Sequence, residues 1–159
     1  MTDLGALLTF GYQGLTGPAD LAELLEGTGV DTIVDVRLQP FGRAPFNGPT
    51  ASRDTVEALG IAYRSDQRLG NLAYKTGGIE INDIEAIEDV LAELRAGRSV
   101  ALLCVCPNPI GCHRSTLAEE AIRRMPGLRV VHLFRTGSRA ALPPDTTAIP
   151  TPRRKASRG

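Results

Sequence analysis

Five short apolar runs, each separated from the next by a helix-patterned stretch, limit what this chain can fold into more than any other feature. The runs are residues 6–12, 32–37 (TIVDVR), 61–63, 99–104 (SVALLC) and 128–133. They are β-branched or continuously apolar, as expected of strands covered on both faces. Between them, Pro18 opens a helix with Leu21, Leu24 and Leu25 on one face, stopped by Gly27 and Gly29. A short helix over 50–59 ends at Gly60. Asn82 with Glu85 marks the start of a third, carrying Ile84, Ile87, Leu91 and Leu94 to Gly97. The fourth presents Leu117, Ala118, Ala121, Ile122 and Met125. Strands alternating with helices predict a three-layer α/β sandwich: a mostly parallel five-stranded sheet with helices on both faces.

At 159 residues and 42% hydrophobic, the chain has material for one core, so residues 1–135 are read as a single domain. No apolar run approaches bilayer length, and no membrane association is expected. The N-terminal MTDLGALLTFGYQG places acid before its apolar run, unlike a signal peptide. Three cysteines within nine positions make no disulfide framework, which fits a cytoplasmic protein. The zero net charge conceals an asymmetry. From residue 135 onward six basic residues face the single acid Asp145, so the body is acidic by five charges. Residues 136–159 form a basic, Pro-rich tail, expected to be disordered and able to hold nucleic acid through its charge.

In such folds ligands bind beyond the carboxyl ends of the strands. Three loops there carry reactive or charged side chains. After the first strand come Tyr12, Gln13 and Gly14; after the second, Arg37 and Arg43; after the fourth, the sequence CVCPNPIGCHRS holds all three cysteines. The last loop runs from a buried strand into a helix near Arg114, with Ser115 or Thr116 as cap. Cys112 and His113 at that helix start are the candidate nucleophile and acid or base, because the helix dipole and Arg114 favour a thiolate. Tyr12, Gly14, Asp35, Arg37, Arg43, Arg114 and Ser115 are the candidate ligand-binding residues. Arginine grips a carboxylate or phosphate with two donors, and Asp35 can pair with Arg37 on one face of the strand. Cys104 reads as a small buried hydrophobe. The loop LGNLAYKTGG, with Arg68 and Lys75, either closes over the site or is a surface excursion.

Counting excludes familiar chemistries. A cysteine phosphatase needs an arginine six positions after its nucleophile, and those places hold Ile110, Cys112 and Ala118. There is no Walker loop, and Gly11, Gly14 and Gly17 do not make the dinucleotide pattern. The spacing C-x-C-x5-C-H is no familiar zinc knuckle, so no metal and no cofactor is expected.

The segments TFGYQG, TIVDVRLQPFGR, GIAYRSDQRLG and LLCVCPNPIGCHRSTLAEEA, in that order, resemble the bacterial domain-of-unknown-function family numbered 488, across residues 8–133. The resemblance places the family's motif on Tyr12, Gly14, Asp35, Val36, Arg37, Arg43, Leu69, Gly70, Cys104, Cys112, His113, Arg114 and Ser115. Cys106 stands where family members often have an acid. The resemblance implies an α/β domain with these loops clustered, and no particular reaction. The residues themselves point to a small anionic ligand, phosphate among the candidates, bound at the strand ends, with thiol-dependent catalysis as one use. A non-catalytic nucleic-acid or protein-binding module and a thiol or metal sensor are the alternatives.

Overall fold

A computed structural model describes residues 4–106, 108–109, 111–135 and 147–151. The elements run β1 (Leu7–Gly11), α1 (Pro18–Leu25), β2 (Thr32–Asp35), α2 (Pro49–Glu57), β3 (Ala62–Ser65), α3 (Ile87–Arg95), β4 (Val100–Cys104), α4 (His113–Arg124), β5 (Val130–Arg135) and β6 (Thr147–Thr151). The sheet order is β3-β2-β4-β1-β5-β6, and every pairing is parallel. This is the three-layer α/β fold expected from the alternation.

Strand parity assigns the helices to faces, because successive side chains point to opposite sides of a sheet. Leu7, Val34, Val100 and Leu102 pack with Ile87, Leu91 and Leu94 of α3 and Leu117 and Ala121 of α4. Their neighbours Leu8, Ile33, Ala101 and Leu103 pack on the other side with Leu21, Leu24 and Leu25 of α1 and Val56 of α2. Both layers are built of buried side chains, and truncating a core leucine such as Leu102 to alanine is expected to cost roughly 2–5 kcal/mol.

The topology also opens the site. β4 lies between β2 and β1. Both neighbours lead into helices on the α1/α2 face, whereas β4 leads into α4 on the opposite face. Adjacent chains thus diverge at the carboxyl end of β4, where a crevice forms in folds of this kind.

Several boundaries differ from the sequence expectation. β2 stops at Asp35 rather than Arg37, because the Arg37 amide is taken by the Asp35 side chain, 3.2 Å away, instead of by a strand. Asp83, not Asn82, caps the start of the third helical segment, accepting from the Glu85 amide. A 3-10 turn, Ile84–Ala86, precedes α3. Cys112 is the N-cap of α4 and Ser115 does not cap it, turning back to the Pro109 carbonyl instead.

The sheet has six strands rather than five. β6 pairs along β5 from Val131↔Thr147 to Arg135↔Thr151. Pro150 is compatible with this position because an edge strand has a side that needs no donors. The expectation of a disordered tail otherwise falls on residues 136–146 and 152–159, outside the described residues.

Candidate functional site

The carboxyl end of β4 delivers Cys104 to the α3/α4 side, in step with Val100 and Leu102. α4 starts on that same side, so its N-cap, Cys112, meets the strand end. The Cys112 thiol lies 3.3 Å from the Cys104 sulfur and donates to it. On its other side Cys104 is 3.4 Å from His113 Nδ1. His113 Nε2 is 2.8 Å from the Val36 carbonyl, which can only accept. Nε2 therefore carries hydrogen, and Nδ1 is the nitrogen that faces the sulfur. The result is a relay from Cys112 to Cys104 to His113, anchored on Val36, the residue that follows β2. All three residues are buried.

Cys104 is the sulfur this arrangement favours as a thiolate. The bond from Cys112 pulls its pKa below the ordinary thiol value. Burial opposes this, and the Val105 amide and the Arg114 charge assist it. Cys106 goes the other way: the bond with Cys112, burial and the charge of Cys112 all push its thiol up. Arg114 stands beneath the thiols with no exposed surface. Its Nη1 donates to Thr9 Oγ1 at 2.5 Å and its Nη2 to the Cys106 carbonyl at 3.2 Å. Burial lowers the Arg114 pKa from its usual value, while Cys112 and Cys104 act to keep it charged.

The relay opens on a cavity of about 370 Å³. Its floor is Cys104, Cys112 and His113, one wall is the Arg37–Gln39 turn, and Tyr74 with Gly77 and Gly78 face them. The LGNLAYKTGG loop thus belongs to the site. Asn71 closes it, accepting from the amides of Ala73 and Glu80 and donating to the Gly78 carbonyl. Gly70 is fixed by crowding, since a Cβ there would lie 2.5 Å from the Leu38 Cα. Arg68 does not reach the cavity; it pairs with Asp66 and Asp89.

A second buried cluster sits on the α1/α2 side. Arg37 donates to both carboxylate oxygens of Asp35, at 2.8 and 2.6 Å, and also to the Phe46 carbonyl and the Ser52 hydroxyl. Tyr63 donates to Asp35 at 2.6 Å. The Arg37 guanidinium lies 5.1 Å over the Tyr12 ring, which leans on Phe46. Burial pulls the Arg37 pKa down, but the bond and charge of Asp35 outweigh it. Burial first, then the Asp35 charge, push the Tyr63 hydroxyl well above its usual value.

The expected site residues therefore divide. Cys112 and His113 meet at the cavity with Cys104, and Arg37 lines it while spending its donors on Asp35, Phe46 and Ser52. Asp35 and Tyr12 build the wall behind Arg37. Arg114 and Ser115 hold the cysteine loop from below. Gly14 and Arg43 are exposed and outside the cavity lining; Arg43 contributes its backbone amide to the Tyr12 hydroxyl. Sequence reasoning missed His132, wholly buried on β5, with Nδ1 2.5 Å from Thr9 Oγ1. Thr9 Oγ1, which accepts from Arg114, thus links the guanidinium to the His132 ring. Burial and the Arg114 charge lower the His132 pKa to about 4. Its strand parity with Val130, which faces α3 and α4, was the available signal.

One family description matches: Domain of unknown function DUF488, over residues 18–121. The chain belongs to the DUF488 family. The match runs from α1 through most of α4 and takes in Asp35, Arg37, Arg43, Cys104 and the Cys112–Ser115 element, but not Tyr12 or Gly14. No curated protein and no solved structure matches the chain. Cys104, Cys112 and His113 also form a soft-ligand set, their ligating atoms all within 4.8 Å of one another. No helix among the described residues is long and apolar enough to cross a membrane.

Proposed function

We propose that this chain binds a small anionic ligand at the carboxyl ends of its strands and acts on it through a thiolate. The observation that carries the reading is the Cys112–Cys104–His113 relay opening on the cavity. A thiolate needs a donor to stabilise its charge and a base to have taken its proton. Cys112 and Nδ1 of His113 fill those roles, which moves the nucleophile from Cys112 to Cys104. The anionic group is drawn by the N-terminus of the twelve-residue α4 and by the Arg114 charge behind it.

Alkylation by iodoacetamide with peptide mapping tests both parts. At pH 7 the buried Cys104 is expected to react before the exposed Cys106, with a midpoint below the ~8.5 of a free thiol. Inorganic phosphate is expected to slow the reaction. Modification at Cys106 alone sinks the thiolate assignment, and indifference to phosphate sinks the anion.

The nucleic-acid alternative draws less support from the folded body. Arg64 pairs with Glu93, Arg68 with Asp66 and Asp89, and Arg124 with Glu85, Glu88 and Glu120. Such pairs leave little uncompensated charge for a phosphate backbone.

A further inference from the structure

We propose that Cys104 and Cys112 form a thiol–disulfide exchange pair whose substrate is a low-molecular-weight disulfide bound in the cavity. The proposal rests on the thiolate reading above and names its substrate class.

The geometry supplies each requirement of exchange. The two sulfurs are 3.3 Å apart, so closing to the ~2.05 Å of a disulfide takes an approach of roughly 1.2 Å. They belong to different elements, a strand end and a helix N-cap. One sulfur is the acceptor of the other's hydrogen bond, so the pair is already differentiated into attacking and resolving thiols. Both line the cavity, whose volume of about 370 Å³ suits a small molecule. Cys106 also lines the cavity and bonds with Cys112, but it is exposed, whereas Cys104 and Cys112 are both buried.

The step balances as follows. The Cys104 thiolate attacks one sulfur of R–S–S–R, forming Cys104–S–S–R and expelling RS⁻, which takes the proton held at His113 Nδ1. Nδ1 then accepts the Cys112 proton; the two atoms belong to the group lying within 4.8 Å. The Cys112 thiolate attacks the Cys104 sulfur, expelling the second RS⁻, which is protonated in turn. Two electrons pass from the protein dithiol to the small disulfide, which leaves as two thiols. The oxidised protein holds a Cys104–Cys112 bond, and two thiols of the same class, leaving as R–S–S–R, reverse the sequence.

Oxidised glutathione, a carboxylate-bearing disulfide, is the probe for the full-length reduced protein, with intact mass and peptide mapping as the readouts. The expected result is loss of two hydrogens, mapped to Cys104 and Cys112 and reversed by reduced glutathione. Cys112→Ser is expected to stop at a mixed disulfide on Cys104. The wild-type measurement stands without any variant folding.

A bond mapped to Cys106 overturns the proposal, as does stoichiometric zinc that only a chelator removes and whose removal frees the thiols. If iodoacetamide modifies Cys104 rapidly while oxidised glutathione yields no internal bond, exchange is wrong and the thiolate reading survives. If Cys104 resists both reagents, both fall together.

Discussion

On the α1/α2 side of the sheet, Asp35 accepts from Arg37 and Tyr63, and Arg37 also donates to Phe46 and Ser52. On the α3/α4 side, a few residues away across the end of β2, Cys104 takes one bond from Cys112 and lies 3.4 Å from His113 Nδ1. Both clusters are buried, both grow from a strand end, and both lie near the same cavity. They differ in how fully they are spent. The carboxylate–guanidinium cluster is bidentate, charged and closed, so its charges stabilise each other. The thiol cluster has weak sulfur donors and acceptors and a face open to the cavity. A saturated cluster holds shape, whereas an unsaturated one keeps capacity for a ligand or reagent.

The largest effect should come from opening the closed cluster. Asp35→Asn leaves the Arg37 guanidinium buried without its counter-charge, and breaking such a pair typically costs about 3–5 kcal/mol. Urea unfolding is expected to show that loss, while Cys104 in the remaining folded protein keeps its alkylation rate relative to Cys106. If stability hardly changes, the cluster is not the structural element described here.

How much of this was legible beforehand follows the same division. The alternation of apolar runs and helical faces specified the layers, because each period states which face must be covered. Asp35 and Arg37, two apart on a strand, declared their pairing. Cys104 looked like core because nothing in SVALLC distinguishes a strand-end thiol from a buried hydrophobe. Its role depends on which face α4 packs against, and that is a long-range fact. His132 was hidden in the same way inside an apolar strand. The sixth strand was masked by Pro150 and Pro152, which argue against a central strand but not against an edge. The Asn82 cap was one residue off, since Asp83 competes for the same amide and Asn82 donates to the Gln67 carbonyl.

The next effect concerns His132, which lies on the thiol side of the sheet and is wholly buried. Its folded pKa is lowered to about 4, against ~6.5 for an unfolded histidine. Between those values the unfolded chain binds a proton that the folded one refuses, so acid favours unfolding. The contribution is fully present above pH ~6.5, is lost as pH falls toward 4, and amounts to roughly 3 kcal/mol. His132→Gln, which cannot titrate, should flatten the stability profile across that window. An unchanged slope would place the proton elsewhere.

The smallest effect tests the loop that carries Cys112. Ser115 Oγ donates to the Pro109 carbonyl, which also accepts from the Cys112 amide at 3.2 Å. Removing the hydroxyl leaves that carbonyl with its second donor, so no buried acceptor is orphaned. Ser115→Ala is therefore expected near the low end of a lost hydrogen bond, about 0.5–1.5 kcal/mol. The loss should be local: amide exchange at Cys112 and Ser115 should speed up while the Asp35 network stays protected. The two clusters meet just after β2, where the Val36 carbonyl holds His113 next to Asp35 and Arg37. If loosening the Ser115 latch also exposed the amides around Asp35 and Arg37, the clusters would form one cooperative unit, and the division between a saturated frame and an open thiol site would fail.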